Sequence, residues 1–306
     1  MAQLIDRALR KLREYRFLHG CRAVLATPPA QVRADGVVIF SMIGTKVLLP
    51  YLVAAKSFQS RLGRGRFAIL DDGTLTAADK AVLAHHLADP VITPLAAVDT
   101  GPCPRGGTWE RLLTILDLRR RDYVIQLDSD IVALGPVSEV NAAIDAGRSF
   151  TLRGEAGSAV VTLVEAARRA RQHRDPGRQH VQSAIEQKLD QVHIPARGGL
   201  HYIRGCSGFA GFAPGEGGRS LAEAFSREAE RLLGMDHWSE WGSEQVISNF
   251  VIANEPDPLL LPYDRYVNFW NDPVANTAAL VHFIGTYRFH RGAYLAAARQ
   301  AIAALA

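Results

Sequence analysis

Between Val37 and Val132, short apolar runs alternate with segments of helical pattern, and this alternation does most to constrain the fold. Val37-Val38-Ile39-Phe40, Phe67-Ala68-Ile69-Leu70, Val91-Ile92 and Tyr123-Val124-Ile125-Gln126-Leu127 read as buried strands. Helices are expected between them at about 46–61, 77–87 and 109–118, the last capped by Thr108. Continuous β-branched runs without polar alternation suit strands covered on both faces, the condition of a parallel sheet flanked by helices. Crossovers long enough to hold a helix, and right-handed by sterics, join such strands. The expected fold is α/β, with a Rossmann-like, mostly parallel central sheet carrying helices on both faces.

In such a sheet the carboxyl ends of the strands share the rim where ligands bind. Three turns should meet there: Asp71-Asp72-Gly73, the helix start Gly106-Gly107-Thr108, and Asp128-Ser129-Asp130. At spacing two, Asp128 and Asp130 point to one face and can converge on one cation. Their hard oxygens suit Mg²⁺ or Mn²⁺, and those ions suit a diphosphate. An ordinary turn after a strand has the same Asp-Ser-Asp sequence, so both readings stand. The Gly106-Gly107-Thr108 turn, with Arg105 and Arg111 nearby, suits a phosphate, while the Gly-rich turn by itself reads first as a plain loop.

At 306 residues, 48% apolar and 22% charged, the chain can bury a large core and is not disordered. No apolar run approaches the ~20 residues that span a bilayer. The start lacks the apolar stretch of a signal peptide, so a cytoplasmic location is expected. Cys21, Cys103 and Cys206 form no C-x-x-C pair, which argues against a thiolate zinc site or a disulfide scaffold. A net charge of +4, spread along the chain, does not point to nucleic acid. Residues 3–18 read as an amphipathic basic helix, with Leu4, Ile5, Ala8, Leu9, Leu12 and Tyr15 at helical spacing. It suits peripheral contact with the inner face of a membrane, or docking on its own domain with the basic side solvated.

Beyond residue 136 the alternation loosens. Helices are expected near 158–172 and 180–189, split by Asp175-Pro176-Gly177, and then at about 221–233 and 243–252. Tyr202 to Pro214 mixes glycine with aromatics, as strands lying close to a ligand do. Leu280 to Gly285 reads as a late strand and turn, followed by a basic run at Arg288–Arg291 and an Ala-rich helix.

Separated pieces of this chain resemble the family 8 glycosyltransferases of the GT-A fold, as a distant branch. They are Val124 to Val132 with its two aspartates, Arg111-Leu112, Ser243-Glu244-Gln245 through Asn249, and His282-Phe283-Ile284-Gly285 through Arg288; Ser207-Gly208 is similar to a further motif. Glu244 stands where the family has Asp, Arg288 where it has Lys, and Cys206 where Asn is common. Asp71-Asp72-Gly73-Thr74 is more similar to a family 2 turn in which the carboxylate reads the base.

The resemblance implies a hexosyl-transferring enzyme using a nucleotide-diphosphate sugar, UDP-sugar first, with retention. Its acceptor would be a saccharide, a glycolipid or a protein. It implies metal ligands Asp128, Asp130 and His282, and donor contacts from Asp71, Arg111, Asp128, Gly285 and Arg288. Gln245, Glu244 and Arg288 would act at the reacting centre. On residues alone, His282 is a ligand or a core histidine, and Glu244 a first-turn helix carboxylate or an acceptor for sugar hydroxyls. The expected layout is a helix and linker at 1–34, a glycosyltransferase domain at 35–292 divided into a nucleotide-sugar half (35–140) and a smaller α+β acceptor half (141–292), and a helix at 293–306. A sugar nucleotidyltransferase or a non-catalytic nucleotide-sugar-binding module are the alternatives.

Overall fold

The computed structural model describes residues 2–172, 177, 179–195 and 198–306, with residues 2–8 and 286 described by backbone alone. Asp175 and Pro176, the expected helix breaker, lie outside these. Among the described residues the helices, α1 to α11 in chain order, are Ala2–Cys21, Leu48–Leu62, Ala77–Leu87, Trp109–Leu118, Ser138–Asp145, Leu163–Gln172, Val181–Glu186, Ser220–Leu233, Met235–Trp238, Ser243–Ala253 and Ala293–Ala303. The strands, β1 to β12, are Val37–Ile43, Arg66–Asp71, Val91–Pro94, Tyr123–Leu127, Ile131–Ala133, Phe150–Arg153, Val161–Thr162, His201–Tyr202, Gly205–Phe212, Leu259–Leu260, Tyr266–Asn268 and Leu280–His282. None of the described helices is long and apolar enough to cross a membrane. The chain groups into two compact units: Met1–Leu95, Ile125–Ala142 and Pro262–Ala306 form the first, and Ala96–Val124 with Ala143–Leu261 the second.

In the first unit the strands run β4 (from Ile125 on)-β1-β2-β3, and β1/β2 and β2/β3 are parallel, as the apolar runs require. Ser41 Oγ donates to the Leu127 carbonyl at 2.7 Å, tying the carboxyl ends of β1 and β4 together. Helix α2 is buried nearly all round, with Tyr51, Leu52, Val53, Ala54, Ala55 and Phe58 fully covered, which marks a core helix rather than a surface one. Helix α3 begins at Thr76, whose side chain and Asp79 form a reciprocal capping box.

A small second sheet, β11-β12-β5, positions the candidate site. β12 runs antiparallel to β5, with His282 opposite Ile131, and parallel to β11, with His282 opposite Asn268. The Phe283 N–H donates to the Asp130 carbonyl at 2.9 Å. Thus a histidine distant in sequence lands beside the Asp-Ser-Asp turn.

In the second unit the strands run β10-β6-β9, parallel then antiparallel, with a bulge between Thr151 and Leu152. The glycines of β9 answer to packing: a Cβ on Gly211 would stand 2.1 Å from the Phe150 ring, and one on Gly205 would stand 2.5 Å from Asn249 Oδ1. The helix expected from Ser158 begins only at Leu163, because Val161 and Thr162 pair with β8. The helix expected at 180–189 ends at Glu186. Thr108 does not cap α4: its φ is +76° and its hydroxyl donates to Glu244 Oε2 at 3.1 Å.

Candidate functional site

In the first unit, one ligand atom each from Asp128, Asp130 and His282 lie within 4.8 Å of one another. His282 Nε2 stands 3.2 Å from Asp130 Oδ1, and its other ring nitrogen, Nδ1, meets Asn268 Oδ1 at 3.1 Å. An amide oxygen only accepts, so this contact places a proton on Nδ1 and aims Nε2 at Asp130: the protonated ring pairs with the carboxylate, and the neutral ring would offer its Nε2 lone pair to a cation. His282 is nearly buried, yet its ring is held at both nitrogens by polar groups. Two carboxylates and an oriented imidazole form a donor set that fits Mn²⁺ or Mg²⁺. Burial alone would raise the pKa of Asp130, but the protonated His282 ring and the Arg288 guanidinium outweigh it and hold the carboxyl below its ordinary range. Arg288 contacts Asp130 Oδ2 and donates to the Phe283 carbonyl at 3.0 Å. Tyr294 OH donates to the Ser129 carbonyl at 3.2 Å and steadies the turn from behind.

Asp71 closes β2. Its Oδ1 accepts the Gly73 and Leu75 N–H groups at 2.8 and 3.2 Å, and its Oδ2 pairs with Lys80 at 2.9 Å. Burial raises it, and Lys80 with these N–H donors more than compensates, leaving it below the usual carboxylate range. Gly285 opens the turn after β12 at φ +45°, a conformation that favours glycine.

The second unit gathers the remaining candidates. Glu244, in the first turn of α10, is buried, and its Oε2 accepts from Arg111 at 2.9 Å, Thr108 Oγ1 at 3.1 Å and Ser207 Oγ at 3.3 Å. Arg111, from the start of α4, is buried with it. Gln245 is half-buried: its Oε1 accepts the Ser207 N–H at 3.2 Å and its Nε2 donates to Gln182 Oε1 at 2.9 Å. Trp109 Nε1 donates to Ser243 Oγ at 2.8 Å, which joins α4 to α10. Asn268, Gln182 and the role of Thr108 escape sequence reasoning. Asn268 ends a short run, Tyr266-Val267-Asn268, that says nothing about its partner until β11 and β12 are paired.

No family model matches the chain, and no curated protein matches it by sequence. Solved structures do match. WbbM, described as a bifunctional glycosyltransferase in its apo form, is 12% identical with a TM-score of 0.49, over 83% of this chain and 46% of that one. This chain therefore spans less than half of WbbM. Mouse xyloside xylosyltransferase 1, also apo, is 13% identical with a TM-score of 0.47, over 82% of this chain and 97% of that one. The galactosyltransferase LgtC, in complex with donor and acceptor sugar analogues, is 16% identical with a TM-score of 0.43, over 88% of this chain and 94% of that one.

Proposed function

We propose that this chain is a metal-dependent glycosyltransferase of GT-A type, a distant branch resembling family 8, that transfers a hexosyl group with retention from a UDP-sugar to a saccharide, glycolipid or protein acceptor. The supporting observation is the Asp128–Asp130–His282 cluster, with Asn268 fixing the imidazole behind it. These residues would hold Mn²⁺ or Mg²⁺, which when bound neutralises charge on the leaving diphosphate. Arg288 adds a guanidinium at the same carboxylate and suits a phosphate oxygen. Gly285 lets backbone approach the diphosphate. Asp71 and Arg111 are assigned as donor contacts, and Gln245 as the residue that positions the donor sugar.

A nucleotidyltransferase would need an open phosphate loop after β1. Here Thr45 N–H donates to Thr74 Oγ1 at 3.0 Å and Thr45 Oγ1 to Asp79 Oδ2 at 2.6 Å, which close that loop on its neighbour.

The test is hydrolysis of UDP-, GDP- and ADP-sugars with Mn²⁺, with and without EDTA, followed by early-time proton NMR of the anomeric signal. UDP-sugar turnover that EDTA abolishes, with the configuration kept, is the expected result. An inverted product would reject the family 8 reading, and no turnover of any donor would reject glycosyl transfer.

We also propose that α1 rests on an anionic membrane surface, at the cytoplasmic face. Leu9, Leu12 and Tyr15 are 43%, 54% and 69% exposed, while Phe17 and Cys21 are buried in the unit. At about 100° per residue Phe17 lies roughly 140° round the helix from Leu12, so the apolar stripe points away from the docked side. Lys11, Arg13 and Arg16 are exposed beside it. The protein is expected to float with phosphatidylglycerol vesicles and not with phosphatidylcholine ones, and Leu12→Glu to release it. Equal recovery with both vesicle types, or self-association through this face, would overturn the assignment.

A further inference from the structure

The amide of Gln245 is one end of a buried hydrogen-bond chain within the second unit. Gln182 accepts from Gln245 through Oε1 and donates through Nε2 to Glu186 Oε1 at 2.9 Å. Tyr202 OH donates to the same oxygen at 2.9 Å, and Arg204 to Glu186 Oε2 at 2.9 Å. Both Gln182 and Glu186 lie on α7 and are buried, four residues apart on one helical face.

A side-chain amide can usually turn over, since its oxygen and nitrogen have nearly the same shape. This chain forbids it. At one end stands the Ser207 backbone N–H, which only donates, so Gln245 must present oxygen to it. At the other end stands a carboxylate, which accepts, so Gln182 must present nitrogen to it. The two glutamines between them then have a single consistent orientation. Burial pushes the Glu186 carboxyl up, Arg204, Gln182 and Tyr202 oppose this only in part, and those three groups donate to its two oxygens in place of solvent.

An amide offers two N–H groups and two lone pairs. The chain uses one of each from Gln245, leaving one N–H and one lone pair for a ligand at a side chain that is still part-exposed. We propose that Gln182 and Glu186 are positioning residues that fix the orientation of the Gln245 amide, and so decide which donor-sugar hydroxyl it can donate to and which it can accept from. This rests on the reading that Gln245 acts at the donor sugar.

The experiment is a double-mutant cycle with a structural readout. Gln182→Met keeps the length and removes the link. Alone it should lower kcat for donor turnover on the order of 10–100-fold with KM and Mn²⁺–UDP binding little changed, as misplacement of an orienting group does. In a Gln245→Ala background the same substitution should change kcat less than twofold, because residues acting through one another are not additive. The Gln245 side-chain ¹⁵N–¹H₂ resonances should shift and lose exchange protection in Gln182→Met and in Glu186→Ala. Additive effects on kcat, or unmoved Gln245 resonances, would overturn the proposal. If the wild type turns over no donor, the glycosyltransferase reading fails, and the Gln245 resonances alone still decide whether the chain orients that amide.

Discussion

Asp130→Ala is expected to abolish metal-dependent nucleotide binding while leaving the fold intact. Loss of a partner behind a metal ligand typically costs 10–100-fold in affinity, and loss of a ligand from a three-residue set costs more. Here a second effect adds to the first. Asp130 also pairs with Arg288 and stands beside His282. Without it, an unneutralised guanidinium faces the position a cation would take, so a drop on the order of 10³-fold is expected. The fold should survive because β12 reaches this turn through the Asp130 backbone carbonyl, which accepts the Phe283 N–H and is unchanged in alanine. Asp130→Asn, able to keep a hydrogen bond to Arg288 but without the charge, should fall between the two. Calorimetry of Mn²⁺ with UDP, beside a circular-dichroism melt, reads both quantities. Unchanged affinity in the alanine variant would remove Asp130 from the metal site.

Much of this site is visible in local sequence because its chemistry is carried by short patterns. The Asp128–Asp130 spacing shows two carboxylates on one side, and β4 ends at Leu127 as its apolar run predicts. Helix α3 falls at the expected residues because Thr76 and Asp79 spell out its cap. Sequence alone leaves His282 open between ligand and core histidine: the antiparallel register of β12 against β5 is set by residues about 150 positions apart and has no local signature. The same limit hid the partners of Gly205 and Gly211. Their glycines look like backbone approaching a ligand, and what approaches is Asn249 and the Phe150 ring. Thr108 fits a cap by identity, but two preceding glycines at positive φ carry the chain into a turn where its own φ is +76° and its hydroxyl finds Glu244. Local propensity gives way there to a buried charge that needs donors.

That charge carries the largest expected effect on stability. Glu244→Ala should destabilise the protein by about 3–5 kcal/mol, because Arg111 would keep its buried guanidinium and lose the carboxylate opposite. The side chains of the pair are only 8% and 2% exposed, so water cannot readily replace the missing partner. Thr108 and Ser207 would lose an acceptor as well. For a protein of this size the loss corresponds to a fall in Tm of roughly 5–8 °C. Replacing both partners together, Glu244→Leu with Arg111→Met, should recover much of the stability, since a well-packed apolar pair often matches a buried ion pair. Glu165 provides the control. It pairs with Arg168 and Arg169 on the exposed face of α6, where solvent screens the charges, and Glu165→Ala should leave Tm nearly unchanged. Thermal melts of the four proteins, wild type included, decide the matter. If Glu244→Ala melts with the Glu165 variant, Glu244 is not the buried counter-ion of Arg111 but a carboxylate that solvent or substrate can reach.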